Sequence, residues 1–415
     1  MPPRQPADPG DMGREHMSYG LEGESIVCFA GEDWWYHHPH SKNHLLKRYA
    51  QANKVLFVNS ITMGLPSLSN PDFFLKIRRK FKSYLRWLRK VPEGLWVMTP
   101  INVPLYGSSV GRWLNRVLLL AQIRLAMLLL KMSRPILWVA IPTAADMAGR
   151  LGEKILLYQV SDKYDANEDS ALSRAVIQKY DRRLKQAADV VMYSGRKLFQ
   201  EAAEPNRFFL EQAVDFEHFA NSDVQPAAEL NGIPHPVLGY FGSMDYVMDT
   251  DLMAEISRLR PEWHWVLLGL RSNLVKIDAP NIHFLGSKPY RDLPLFIRHF
   301  DVCVLPWRSA NAFTSYGSAI KVREYLATGK PVVIAPLYEY LQTPGLRFYC
   351  SAEEFIAQVE DALENDTPDL AAQRQAVVRD NTWDARARQL AALIDSVLRG
   401  QRYTYLQGEP AWKEA

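Results

Sequence analysis

The sequence predicts an α/β protein built as two doubly wound parallel sheets, and three observations lead there. Short apolar, β-rich runs alternate with helical patterns from Ser25 onward, which is how βαβ units read in sequence. The alternation stops in a polar stretch and restarts at Pro236. A chain of 415 residues is also too long for one ordinary core and calls for two or three domains.

The elements follow in order. SIVCFA is a first strand, GEDWWYHHPH a loop, SKNHLLKRYAQA a helix and KVLFVNS a second strand. After a basic stretch come the strand GLWVMTP, a helix over residues 111–132, the strand PILWVAI and the short helix TAADMAGRLG. KILLYQVSD, a helix over about 170–187 and DVVMYS complete this half. The second half reads PVLGYFGS, TDLMAEISRLR, WHWVLLGL, NIHFLGS, RDLPLFIRHF, DVCVLPW, SAIKVREYLATG, KPVVIAP and AEEFIAQVEDALE. The organisation expected is a disordered tail over residues 1–24, a Rossmann-like domain over 25–220 and a linker over 221–235. A second Rossmann-like domain covers 236–382, a helix over 383–400 packs on either domain, and a tail covers 401–415. A cleft is expected between the domains.

Composition narrows the function classes. Hydrophobic residues make up 47% and charged residues 23%, as in ordinary globular chains. The 49 Lys and Arg against 46 Asp and Glu leave +3, which argues against a nucleic-acid binder. Cys28, Cys303 and Cys350 form neither a disulfide framework nor a CxxC site, so a reducing, cytoplasmic setting is expected. The first 24 residues carry no apolar h-region, so no signal peptide is expected there. The most apolar run, Val117 to Met132, is interrupted by Gln122 and Arg124 and reads as a buried helix rather than a span.

Ligands of open parallel sheets sit outside the carboxyl ends of the strands. The most informative such segment is DVCVLPWRSANAFTSYGSAIKVREYLATGKPVV. A strand ends at Pro306, a loop of small residues follows, and a helix is expected to start near Ser318. Unpaired N–H groups and the positive dipole end suit a phosphate. Lys321 lies in the first turn, where the dipole disfavours a cation, so a nearby anion would account for it. Glu324 shares its face and can accept hydrogen bonds from two neighbouring hydroxyls, as a ribose offers. A surface Lys–Glu pair is the simpler alternative on the helix alone.

SAIKVREYLATGKPVV, taken with VLGYFGS, WVLLG, NIHFLGSKPYRDLP and DVCVLPW in this order, resembles the donor-binding half of GT-B glycosyltransferases. The resemblance is to the large retaining family (glycosyltransferase family 4-like), in the branch of teichuronic acid biosynthesis glycosyltransferases. FAGEDWWYHHPHSKNHLLKRYAQANKVLFVNS, PILWVAIPTAAD, LLYQVSDKYD and EQAVDFEHF extend it to the first half. It implies two Rossmann-like domains facing across a cleft, a nucleoside-diphosphate sugar as substrate, and no metal or other cofactor. It further implies retention of configuration and a saccharide or lipid-linked saccharide acceptor, in polysaccharide or glycolipid synthesis. By resemblance Glu324 holds the donor ribose, while Ser287, Lys288 and Pro289 frame the base. Gly242 and Ser243 lie beside the pyrophosphate. The first acid of the family's E-x7-E pair is Tyr316 here, and SMDYVMD lacks the basic pair usual after the first strand of this domain. Charge on the diphosphate is then expected to be met by Lys321, Arg308 and the helix start at Tyr316, Gly317, Ser318 and Ala319. The departures keep two alternatives open: a silent sugar-nucleotide-binding scaffold or regulator, and a nucleotide-sugar epimerase.

Other features are weighed against simpler readings. Asp249 and Asp251 match a metal-binding DxD but precede a helix, where an Asp caps. His37, His38 and His40 crowd one loop without an acidic or thiol partner at zinc spacing, so no metal site is expected. His38, His40, Asp33 and Trp34 are expected on the acceptor side. Asp162, at the end of its strand, is expected to orient the acceptor or, in an inverting enzyme, act as base, with a helix cap or a salt bridge to Lys163 or Arg196 as the alternative. KIRRKFKSYLRWLRK, residues 76–90, is basic with interleaved aromatics and predicts peripheral contact with an anionic membrane on its cytoplasmic face.

Overall fold

A computed structural model describes residues 19–35, 39–61, 78, 82, 84, 87–103, 108–164, 174–221, 223–308 and 314–401. It divides into two units. The first comprises the described residues up to Tyr193 with Ala202–Leu210 and those from Ala387 on; the second comprises Ser194–Glu201 and Glu211–Arg386. The change of unit therefore precedes the expected linker over 221–235: the polar stretch folds with the second unit, and Ala227 N donates to Leu295 O at 3.0 Å. The closing helix is divided as well, its residues from Ala387 on belonging to the first unit, where Tyr49 Oη donates to Ala387 O at 2.8 Å.

The first unit contains β1 (Ser25–Phe29), α1 (Ser41–Tyr49), β2 (Lys54–Val58), β3 (Leu88–Lys90), β4 (Trp96–Met98) and α2 (Ser109–Leu129). It continues through β5 (Ile136–Val139), β6 (Ile155–Val160), α3 (Arg174–Ala187), β7 (Val190–Tyr193) and, after α4 (Arg196–Glu201) of the second unit, β8 (Arg207–Phe209). Its sheet runs β3-β4-β2-β1-β5-β6-β7-β8, parallel throughout except for β3 against β4. Every residue of β1, β5, β6 and β7 is buried, the pattern of strands covered on both faces.

The second unit adds α5 (Phe216–Ala220), β9 (Val237–Phe241), α6 (Thr250–Leu259), β10 (His264–Leu268), β11 (Ile282–Gly286), α7 (Leu293–Ile297) and β12 (Val302–Leu305). After these come α8 (Ile320–Thr328), β13 (Val332–Ile334), β14 (Leu346–Phe348), α9 (Ala352–Asn365), α10 (Pro368–Val378) and the start of α11 (Trp383–Leu398). Its all-parallel sheet runs β11-β10-β9-β12-β13-β14. Strand order reverses between β1 and β5 in one unit and between β9 and β12 in the other, which marks each switch point as a ligand crevice.

The basic stretch ends in strand β3, while most of residues 76–86 fall outside the described residues. One sequence expectation changes here: helix α2 is not simply buried. It buries Gly111, Asn115, Leu119, Ile123, Ala126 and Met127 and leaves apolar side chains outside.

Candidate active site

In the second unit the site grows from the ends of β9 and β12 and the start of α8. β9 runs into Gly242, whose φ of +133° suits glycine. A Cβ on Gly242 would lie 2.2 Å from Lys321 Nζ, so the missing side chain is what lets the ammonium approach the turn. Gly269, after β10, comes equally close: a Cβ there would meet Gly242 O at 1.9 Å. The backbone at the ends of β9 and β10 thus forms a smooth floor.

Lys321 reaches this floor from the first turn of α8. Its Nζ donates to Tyr240 Oη at 3.0 Å, and Tyr240 Oη donates to Ser243 O at 2.7 Å. The ammonium also lies 4.7 Å from the Tyr240 ring centre and 4.9 Å from that of Trp307, so two aromatic faces hold it. The helix starts at Ile320, two residues beyond the expected Ser318. Its N-cap is Ala319, which offers no side chain to the first-turn N–H groups.

Glu324 is buried, 4% exposed. Burial pushes its carboxyl up to about 8; the Tyr290 hydroxyl and the Lys321 ammonium pull it down, and the Asp215 carboxylate pushes it further up. His218 stacks on Tyr290 with ring centres 5.1 Å apart and bonds to Tyr290 O at 3.1 Å. Neither Tyr290 nor His218 is among the residues expected from sequence, although YRDLP and DFEHF lie in segments that carry the resemblance.

A second residue missed by the sequence reading holds α8 in place. Arg323 is buried and donates to Glu211 at 3.0 Å, Glu339 at 3.2 Å and Tyr340 Oη at 2.5 Å. Tyr340 Oη in turn donates to Ala319 O at 2.6 Å, which ties the cap of α8 to the network. Burial works to raise Glu211, but Arg323, Arg386 and Arg196 outweigh it and hold that carboxyl below its usual range. A fully buried guanidinium with its carboxylates in place orients the helix start, and removing one partner would strand a charge.

The other donor-side residues are placed as follows. Ser287, Lys288 and Pro289 follow the end of β11, and Lys288 Nζ pairs with both oxygens of Glu229 at 2.6 Å. Arg308 donates to Asp251 Oδ2 at 3.1 Å and to Met248 O at 3.2 Å, so its guanidinium is occupied by protein groups. Gly317 and Ser318 lie between a 3-10 turn over Thr314–Tyr316 and α8. Tyr316 Oη, where the family resemblance expects a carboxylate, donates to Glu201 at 2.9 and 3.1 Å, and Lys197 lies 4.3 Å above its ring. A carboxylate from α4 thereby stands next to the position the sequence leaves uncharged. Asp249 accepts from Leu252 N at 3.2 Å, so the DxD opens a helix.

In the first unit, residues after β1 and β6 form a separate polar group. Lys42, buried on α1, lies 3.5 Å from Glu32 Oε2, and His40 Nε2 lies 3.7 Å from the same oxygen. Burial raises the Asp162 carboxyl; Lys42 lowers it and Glu32 raises it, so these three charges share one neighbourhood. Buried Gln159 bonds to Ser41 and Ser161 beneath them, at 3.0 and 2.9 Å. Asp33 accepts from Trp35 N at 3.0 Å. Trp34 packs edge-on to Phe57 at 5.0 Å, with Lys47 5.5 Å above its ring. His37 and His38 lie outside the described residues. Among the described residues, no group of three His, Cys, Asp or Glu side chains is placed to hold a metal ion.

Known proteins resemble this chain in sequence and share its fold. Residues 235–365 match the family of glycosyl transferases group 1. The chain is 25% identical over 282 residues to the Bacillus subtilis (strain 168) protein TuaH, whose name assigns it as a glycosyltransferase of teichuronic acid biosynthesis; 61% of this chain and 70% of that protein align. Among solved structures, sucrose-phosphate synthase from Thermosynechococcus elongatus superposes with a TM-score of 0.67 at 13% identity, over 92% of this chain and 100% of that one. HepE from Anabaena, in complex with UDP and glucose, gives a TM-score of 0.62 at 12% identity, over 90% and 100%. At such identities the structures establish the shared fold.

Proposed function

We propose that this chain, a nucleotide-sugar-dependent glycosyltransferase of the GT-B fold, transfers a sugar with retention of configuration to a saccharide or lipid-linked saccharide. The reading rests most on one observation: Lys321 and Glu324 lie on the first turns of α8, beside the glycine floor at the end of β9. A diphosphate accepts from the uncapped N–H groups of α8 and from Lys321, whose ammonium the aromatic pair already orients. The ribose hydroxyls donate to Glu324, and Tyr290 and the backbone of Ser287–Pro289 flank the nucleoside. As the bond from the anomeric carbon to the diphosphate breaks, negative charge grows on the leaving oxygen. Lys321 and the helix dipole stabilise that charge more than they stabilise the ground state. The leaving phosphate oxygen takes the proton of the acceptor hydroxyl.

On the first unit, Asp162, Glu32, Lys42 and His40 supply donors and acceptors for sugar hydroxyls. The relative named for teichuronic acid biosynthesis supports a role in polysaccharide or glycolipid synthesis. The membrane contact expected for residues 76–90 belongs to this proposal, and its described residues include exposed Arg78, Lys82, Arg89 and Lys90. A thermal-shift screen of nucleoside diphosphates and their sugars tests the reading, because a ligand selective for the native state raises the melting temperature. One base is expected to stand out, followed by transfer or slow donor hydrolysis. Binding without any turnover would favour the silent scaffold, and no shift with any nucleotide would refute the donor site.

A further inference from the structure

We propose that the outward face of α2 is a docking surface for an anionic lipid bilayer, on which the helix lies in the plane of the interface. The helix is turned against expectation. Asn115 and Gln122, two turns apart, point inward and clasp the backbone of the preceding segment. Asn115 bonds to Val103 N and O, both at 2.7 Å, and Gln122 bonds to Ile101 N and O at 2.9 and 2.7 Å. These four bonds fix the rotation of α2 and hold its apolar residues outside. Val110 and Leu128 are each 73% exposed, and Trp113, Val117 and Leu125 lie between them on one stripe at helical spacing. Ile101, whose backbone Gln122 binds, is 52% exposed. Single exposed apolar residues are ordinary, whereas a contiguous row on one helix marks an interaction surface.

Charge selects the occupant. Residues 109–134 carry Arg112, Arg116, Arg124, Lys131 and Arg134 and no carboxylate. A second copy of this face would bring exposed Arg124 against its equivalent with no carboxylate on the helix beside it, whereas a layer of lipid phosphates is complementary. No helix among the described residues is long and apolar enough to cross a membrane, so the helix lies on the bilayer rather than through it. Its 21 residues give a contact about 30 Å long. The inference is independent of glycosyl transfer, since it uses no residue of the donor or acceptor groups.

The test is co-sedimentation of the full chain with vesicles of phosphatidylcholine alone or with about 30% phosphatidylglycerol, without donor or acceptor. The chain should sediment with the anionic vesicles and be released as salt rises to about 0.5 M. Leu125→Gln with Leu128→Gln should lower the partition coefficient about tenfold or more at an unchanged melting temperature. If that pair fails to fold, Val110→Gln with Trp113→Gln reads the other end of the stripe. Four results would overturn the proposal: no binding by the unaltered chain, equal binding to uncharged vesicles, equal binding by the folded variants, or a dimer that the substitutions dissociate. Loss of binding on neutralising the basic residues of 76–90, with α2 substitutions silent, would likewise transfer the contact away from this helix.

Discussion

Replacing Glu324 with glutamine removes a carboxyl whose titration burial has moved next to neutrality, and the consequence for donor binding can be worked out. The ionised form accepts two hydroxyl hydrogen bonds from a ribose, while the protonated form accepts fewer. With the carboxyl pushed up to about 8, the unliganded site at pH 7 holds a proton that must leave on binding. Each unit below that value costs about 1.4 kcal/mol, or tenfold in affinity. Affinity for a nucleotide sugar, whose diphosphate diester does not itself titrate near neutrality, should therefore rise about tenfold per unit from about pH 6 to about pH 8 and then level off. Calorimetry in two buffers of different ionisation enthalpy should show close to one proton released near pH 7. The Glu324→Gln variant should bind more weakly at pH 8 by about 1–3 kcal/mol, with a flat pH profile and no proton release. The sign for stability follows the same linkage. The folded chain keeps this proton to higher pH than the unfolded chain, so the contribution of Glu324 is favourable at low pH and is lost as pH rises from about 4.5 to about 8; glutamine removes that slope. A wild-type affinity independent of pH over this range, or a slope retained by the glutamine variant, would refute the reasoning.

The remaining predictions concern neighbours of that group. Lys321→Ala should weaken a nucleoside diphosphate more than the monophosphate, by about 1–3 kcal/mol in titration calorimetry, and equal losses would remove the lysine from the diphosphate. Gly242→Ala places a methyl 2.2 Å from Lys321 Nζ at a φ of +133°. It should lower the unfolding free energy by about 1–3 kcal/mol in urea titration and reduce diphosphate affinity as the lysine is displaced. Arg323→Met strands the buried carboxylate of Glu339, while Glu211 keeps Arg196 and Arg386, and should cost about 3–5 kcal/mol of stability, read as a fall in melting temperature at pH 7. Asp162→Asn should slow transfer while donor affinity stays within about twofold, because Asp162 belongs to the other unit.

The sheet strands were legible because strands covered on both faces are near-continuous apolar runs, and SIVCF, ILWV, KILLYQV and VLGYF stand out as such. Short elements with mixed burial were not. β8 and β14 are three residues each with partly exposed side chains, and α10 buries Arg374 while it exposes Ala372, Ala376 and Val377, so it has no clean apolar face. On the donor side, the placement of Lys321 and Glu324 on neighbouring turns of one helix was readable, since their spacing is local. Tyr290, His218 and Arg323 were not, because each acquires its role from a partner tens of residues away in sequence. Nor was the pairing of Arg308 with Asp251, which the fold brings to it.

By itself, then, the chain's order of apolar runs and helical periods determined two doubly wound sheets and where their strand ends must lie, since burial on both faces leaves a local signature in composition. Tertiary structure decided which charges meet at those ends. It placed Lys321 between two aromatic faces over Gly242, gave Tyr316 the carboxylate of Glu201, and rotated α2 so that Asn115 and Gln122 face inward. Electrostatic and hydrogen-bond partners are set by distances in space, and no period along the sequence encodes them.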